Sequence, residues 1–217
     1  MSKLQIATFT LGDYQTNCYV VADGDTKDCW LVDAGMGPGA MIDHVREAGL
    51  TPKAVVLTHA HVDHIGGLAE VLEVFPGLEV MIHEDEWGFP EDATKNLSVF
   101  LTTPVEAPPA TRKLVHGEKL TLGGLTFEVR HTPGHSPGGI TLVEHDAGVA
   151  LVGDALFAGA IGRFDFPTSD GRALIAGIHR ELMTLPDEVR VLSGHGPETT
   201  VGAERAGNPY LRESGLG

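Results

Sequence analysis

The sequence predicts an α/β fold of two halves, whose sheets pack against each other with helices on the outside. Three observations carry that expectation. Apolar, partly β-branched runs of strand length alternate with helical patterns in the order strands, helix, strand, and this order occurs twice. Hydrophobic residues make up 42% of the 217 positions against 21% charged ones, enough to bury a full core. No stretch rich in Gly, Ser or Pro separates the halves, so residues 1–217 are expected to form a single domain.

Residues 4–11, 17–22 and 29–33 are expected as the first strands, broken from one another by Gly, Asp and Asn. A helix follows from Gly39 to about Ala48, stopped by Gly49 and Pro52. The run Ala54-Val55-Val56-Leu57 makes 53–58 a buried strand that ends directly on His59. Leu68, Val71, Leu72 and Phe75 lie at helical spacing and predict a helix over 66–75, with a strand at 78–83 after it. Residues 84–111 are the least regular, carrying Pro90, Pro104, Pro108 and Pro109 and one helix-like stretch at 93–101. A long Pro-bearing segment of this kind is either a loop over a site or a plain surface excursion. Strands are expected at 119–122, 125–130, 139–144 and 149–152. Leu174, Ile175, Ile178 and Leu182 share one stripe and predict a helix over 171–185. A strand at 189–192 and a helix at 200–206 complete the pattern.

The formal net charge is −15, with 30 acidic residues against 15 basic ones. Such a surface repels nucleic-acid backbones and anionic lipid, so neither is an expected partner, although bound divalent cations would create a local positive site. The N-terminus lacks the apolar core and cleavage site of a signal peptide, and no run approaches the roughly 20 apolar residues of a membrane helix. A soluble, cytoplasmic protein is expected. Cys18 and Cys29 belong to no CxxC or Cys/His cluster and read as buried thiols in neighbouring strands.

The strongest chemical signal is Thr58-His59-Ala60-His61-Val62-Asp63-His64, immediately after the apolar strand. His59 and His61, two apart, can converge on one metal ion from an extended or tightly turned backbone, and Asp63 and His64 can face a second ion nearby. Imidazole and carboxylate suit zinc, iron or manganese, and the lack of thiolates argues against a purely structural zinc knot. Two ions need further ligands. Three later segments offer them, each after an apolar strand and each with glycine close by: Pro133-Gly134-His135, Gly153-Asp154, and Gly194-His195-Gly196.

In this order, THxHxDH, PGH, GD and GHG resemble the metallo-β-lactamase superfamily over residues 58–197. The resemblance implies a four-layer αββα sandwich with two divalent metal ions at one edge between the sheets, zinc first among the candidates. Carried over position by position, it implies His59, His61 and His135 on the first metal and Asp63, His64 and His195 on the second. Asp154 would bridge the two, and Asp63 and Asp154 would be the catalytic carboxylates. His131 is expected to be a structural strand-end residue. His44, His83, His116, His145 and His179 match no ligand position, although His83 could lie near the cavity.

Within the superfamily, Gly153 to Phe157, Ile161 to Pro167, Gly194 to Pro197, Glu204 and Asn208 to Leu211 are similar to the glyoxalase II (hydroxyacylglutathione hydrolase) branch. The match is to its compact bacterial version, which lacks the helical C-terminal domain. That resemblance implies hydrolysis of a small-molecule thioester, with S-lactoylglutathione as the reference substrate and a metal-bridging hydroxide as nucleophile. A thiolate of pKa about 8.5 leaves without a strong general acid. No GxSxG or paired Cys/His nucleophile competes with that route. Arg163 would pair with a substrate carboxylate, or else form a structural pair with Asp165. Asp165 stands where glyoxalase II enzymes tend to have an aromatic, which separates the hydrolytic core from glutathione specificity. Two alternatives share the fold. Persulfide dioxygenases carry a GRxDF stretch like Gly162 to Phe166 and hold one iron at the positions of His59, His135 and Asp154; the other alternative is a lactonase.

Overall fold

In the computed structural model, which describes residues 3–212, the first half opens with β1 (Leu4–Leu11), β2 (Thr16–Asp23) and β3 (Asp28–Val32), paired antiparallel. Next come α1 (Gly39–Glu47), β4 (Thr51–Val56), α2 (Val62–Ile65), α3 (Leu68–Val74), β5 (Glu79–His83) and β6 (Arg112–Leu114). Strands β3 to β6 run parallel, so the sheet reads β1-β2-β3-β4-β5-β6. The second half has β7 (Lys119–Leu122), β8 (Leu125–His131), β9 (Ile140–Glu144) and β10 (Val149–Gly153) as an antiparallel meander. A small hairpin, β11 (Leu156–Phe157) with β12 (Ala160–Ile161), leads to α4 (Gly171–Gly177), β13 (Arg190–Ser193), β14 (Thr199–Thr200) and α5 (Val201–Gly207). Strand β13 inserts parallel to β10, giving the order β14-β13-β10-β9-β8-β7.

The layering follows from how the strands alternate. On β2 and β3, Tyr19, Val21, Trp30 and Val32 turn toward the second sheet, while Val20, Ala22, Cys29 and Leu31 turn toward α1 and α3. The inter-sheet cluster gathers Phe127, Val129, Ile140, Leu142 and Leu151 from the second sheet, with Trp30 and Phe127 in ring contact at 5.2 Å. The outer face of the second sheet, through Ala150, Val152 and Val191, packs on Leu174, Ile178 and Leu182. Helix, sheet, sheet, helix is the four-layer arrangement the motif pattern implied. Because the central strands are buried on both faces, they read as near-continuous apolar runs in the sequence.

Several elements differ from expectation. The helix expected over 66–75 is found as α3, Leu68–Val74, and it starts late because Gly66 and Gly67 separate it from the short α2, with Gly67 N–H donating to Ala34 O. The stretch at 93–101 is not a helix. Asp92 caps the backbone N–H of Thr94 and Lys95, Leu97 takes a left-handed φ of 65°, and only a single turn, Ser98–Phe100, forms. The helix expected over 171–185 begins as α4 and continues as wider turns, Ile178–Leu182, with Met183 N–H reaching Ile178 O. The short strands β6, β11, β12 and β14 carry too few residues to show a period. Among the described residues no helix is long and apolar enough to cross a membrane.

Cys18 and Cys29 are both buried and free; Cys29 pairs with Ala22 and Cys18 with Phe9, so their places in the sheet keep them apart. Burial pushes both thiols up to about 12. Neither is therefore expected to react with a thiol reagent at pH 8 until the chain unfolds, so native labelling faster than unfolding would contradict this packing. Truncating Phe127 to Ala should cost about 3–5 kcal/mol in a denaturant titration, since the ring is fully enclosed between the sheets.

Candidate metal centre

The four segments singled out in the sequence all leave strand ends on one edge of the sandwich. After β4 the chain passes through His59 to His61, which lies on extended backbone as the N-terminal cap residue of α2, and that helix turns Asp63 and His64 inward. β8 delivers the loop that carries His135, β10 ends on Gly153 before Asp154, and β13 ends on Ser193 before His195. A backbone hydrogen bond from Gly194 N–H to Gly153 O (2.8 Å) locks the last two loops together. Gly194 has to be glycine: a Cβ there would collide with Asp154 Oδ1 and sit 2.6 Å from His64 Cε1.

All seven side chains converge. Donor atoms of His59, His61 and His135 lie within 4.8 Å of one another, as do those of Asp63, His64 and His195. Asp154 touches both sets: Oδ1 is 3.3 Å from His64 Nε2, and Oδ2 is 3.5 Å from His135 Nε2 and 3.4 Å from His195 Nε2. His195 Nε2 is also 3.1 Å from Asp63 Oδ2, and His61 Nδ1 is 2.9 Å from His135 Nε2. Yet His59 Nε2, His64 Nε2 and Asp154 Oδ1 are buried with no hydrogen-bond partner. Buried polar atoms left this way cost about 1–3 kcal/mol each, and native proteins rarely leave them so. A nitrogen and oxygen donor set with inward lone pairs fits divalent metal ions.

The electrostatics agree. Burial, reinforced by neighbouring imidazoles, holds His59 well below the usual histidine range and takes His61 to about 3. Burial also lowers His135. For His64 and His195 burial acts the same way, but the carboxylates outweigh it: Asp63, Asp154 and Asp33 hold His64 well above its ordinary value, and Asp154 and Asp63 raise His195 to about 9. Burial opposes ionisation of Asp63 and Asp154 too, and the adjacent His64 and His195 more than offset it, leaving both carboxylates below the usual range.

A ring of neighbours aims these donors. Asp33, buried at the end of β3 with φ 62°, accepts from Thr58 N–H (2.7 Å) and Thr58 Oγ1 (2.7 Å) and holds His64 Nδ1 at 2.8 Å. Glu86, fully buried, accepts from Ala60 N–H (2.6 Å) and Gly138 N–H (2.9 Å), so one carboxylate ties the His59–His61 turn to the His135 loop. Asn17 Nδ2 donates to Ser193 O and Gly196 O around His195, and Thr16 Oγ1 donates to Asp63 Oδ2. The His135 ring is held at Nδ1 by Arg163 O, 2.8 Å away. Of these neighbours the sequence singled out Arg163 alone, and for its guanidinium, not for its carbonyl. Asp33-Ala34-Gly35 does carry the signature used for Asp154, an acid and a glycine after an apolar strand. Glu86 carries none.

His131 keeps its structural part, with Nε2 on Pro137 O at 2.9 Å. With His83 and Asp85 it makes a fourth group of close donors, but its ring stacks on that of His83 at 3.9 Å and 16°. Imidazole lone pairs lie in the ring plane, so two nearly parallel rings cannot point them at a common ion. Arg163 is found in a bidentate pair with Asp165, both contacts 3.0 Å, over the Phe166 ring.

The family model of the metallo-beta-lactamase superfamily matches residues 11–195. The chain belongs to that superfamily, and it is a metallo-hydrolase. Hydroxyacylglutathione hydrolase GloC of Haemophilus influenzae is 37% identical, over 91% of this chain and 93% of its own length. The crystal structure of BLEG-1 B3 metallo-beta-lactamase superposes with a TM-score of 0.90 at 40% identity, covering 95% of this chain and 99% of that one. The structure of TTHA1623 in a di-iron-bound form gives a TM-score of 0.85 at 37% identity, covering 94% and 100%. Beside the superfamily's metal edge a cleft of about 700 Å³ opens, floored by His61, Asp63, His135, Asp154 and His195.

Glu86→Gln places an amide N–H against a backbone N–H, and should weaken metal binding about 10- to 100-fold in a chelator competition while the fold is retained. Unaltered affinity would show that the strap is dispensable. Acid should act the same way. In the metal-free chain the proton on His195 stabilises the fold fully below about 6.5, the ordinary histidine value, and that contribution is lost as the pH rises through about 9. Metal must displace the proton, so metal affinity measured by calorimetry should rise with pH up to about 9, with proton release on binding.

Proposed function

We propose that this metallo-hydrolase cleaves thioesters, using two divalent ions, zinc in the first instance. His59, His61 and His135 would hold one ion and Asp63, His64 and His195 the other, with Asp154 between them. The observation that carries this reading is the pair of donor sets joined through Asp154 on the floor of an open cleft. The likeness to GloC supports the thioester as the bond cleaved.

When bound, such ions lower the pKa of water toward neutrality and polarise a carbonyl. The chain's own residues do the positioning. Asp63 and Asp154, both held below the usual carboxylate range, are ionised at neutral pH and available as ligands or proton acceptors. The carbonyl of Arg163 fixes the orientation of the His135 ring, and Asp33 fixes that of His64. Among the described residues the cleft is lined by no serine, threonine or cysteine, which supports attack by water. A C–O bond forms at the carbonyl carbon as the C–S bond breaks, and the thiol leaves as thiolate without a strong acid.

A persulfide dioxygenase would need one iron at His59, His135 and Asp154, leaving His61, Asp63, His64 and His195 without work. β-Lactam hydrolysis is a second reading, favoured by the 40% identity to BLEG-1. The test is metal analysis of the purified protein followed by a panel of thioesters with free-thiol detection, run beside lactones, a β-lactam, and oxygen uptake on a persulfide. Two metals per chain and thiol release are expected. His59→Ala and Asp154→Ala should each bring turnover below detection and lower metal content. A fully loaded protein that spares every thioester and opens the β-lactam would replace this reading with the second.

A further inference from the structure

We infer that the preferred substrate is a thioester with apolar, uncharged groups on either side of the reacting bond, and not an anionic glutathione conjugate. This inference rests on the thioesterase reading above. The cleft is walled by Tyr14, Leu97, Phe100, Leu101, Phe157 and Phe166. Phe100 is 73% exposed and Tyr14 52% exposed, so two aromatic residues stand at the cleft with half or more of their surface open to solvent. Large rings left open beside a reactive centre serve ligand contact better than they serve the fold.

The wall is held in place. Asn96 Nδ2 donates to Pro90 O (3.0 Å) and Val105 O (2.9 Å), which closes the loop on itself. Val62 N–H, in the first turn of α2, donates to Asn96 O (2.8 Å). The next residue, Leu97, is kept at φ 65°, a conformation a leucine adopts only under constraint. The side of the wall built by Leu97, Phe100 and Leu101 is thus tied to the helix that presents Asp63 and His64.

Charge points the same way. Apart from the metal-site donors, the charged side chains lining the cleft are Arg163 and Asp165, and these neutralise each other in their bidentate pair. A glutathione thioester brings two carboxylates and one ammonium. Among the described residues, the cleft lining offers the carboxylates no unpaired Lys or Arg side chain, on a chain whose net charge is −15. An aliphatic or aromatic group is desolvated there without that penalty.

The experiment compares matched thioesters on the metal-loaded enzyme. Lactoyl groups are offered on glutathione and on uncharged N-acetylcysteamine, and the acyl chain on the latter is then lengthened from acetyl to hexanoyl. The neutral thioester should be preferred at least about tenfold in kcat/KM. Each added methylene should raise kcat/KM about fourfold until the cleft is full, the fold-change equivalent of burying one CH₂. Phe100→Ala should flatten that slope, and Leu101→Ala serves if Phe100→Ala fails to fold. Asp165→Ala, which releases Arg163, should raise kcat/KM for the glutathione thioester. Calorimetric binding of a hexyl methylene-ketone analogue, which has no cleavable bond, should weaken in Phe100→Ala and supplies a readout independent of turnover. Preference for glutathione with a flat chain-length series would overturn the inference while leaving thioester hydrolysis intact. No thioester cleavage at all would fell the underlying reading instead, and failure of the analogue to bind would then overturn the apolar pocket as well.

Discussion

Five imidazoles and two carboxylates crowd one edge of this sandwich, with donor atoms inside 4.8 Å of their neighbours and several lone pairs unsatisfied. Desolvating so many polar groups is unfavourable unless something positive sits among them. Protons on His64 and His195 answer part of that demand in the metal-free chain, and divalent cations answer it more completely. The remaining features of the fold are arranged around this constraint.

Strand ends make the cage possible. A buried β-strand is a stiff support, and β4, β8, β10 and β13 all release their chains at the same edge, so four loops far apart in sequence arrive together. Stiffness at the strand is not enough to aim an imidazole, and the hydrogen bonds of Asp33, Glu86, Asn17 and Thr16 do that. Two of these carboxylates are themselves wholly buried and are kept satisfied by backbone N–H groups and hydroxyls, which makes them parts of a rigid frame with no evident place in the chemistry. The apolar wall over the cleft is joined to the same frame at Val62, so binding surface and metal edge form one mechanical unit.

Much of this could be read from the chain. His59, His61, Asp63 and His64 announce themselves because four donors within six positions after an apolar strand have no ordinary structural use. His135, Asp154 and His195 follow from the glycine beside each, and at Gly194 the structure supplies the reason, since any Cβ would occupy the cage. Layering was legible because the central strands are apolar on both faces and the helices on one. What stayed hidden depends on distance. Glu86 sits in an irregular segment and bonds to Ala60 and Gly138, and no local pattern encodes a contact across 26 or 52 positions. The stretch at 93–101 looked helical by composition, yet Asp92 and Asn96 divert the backbone to their own side chains. Arg163 could have served a substrate or Asp165, and only the folded geometry shows it paired with Asp165.

A cage of this kind is built to take two cations. Anomalous diffraction from crystals of the metal-loaded protein tests this most directly. It should give two peaks, one among His59, His61 and His135 and one among Asp63, His64 and His195, with Asp154 between them. A single peak, or a pair elsewhere with these seven side chains uncoordinated, would contradict it.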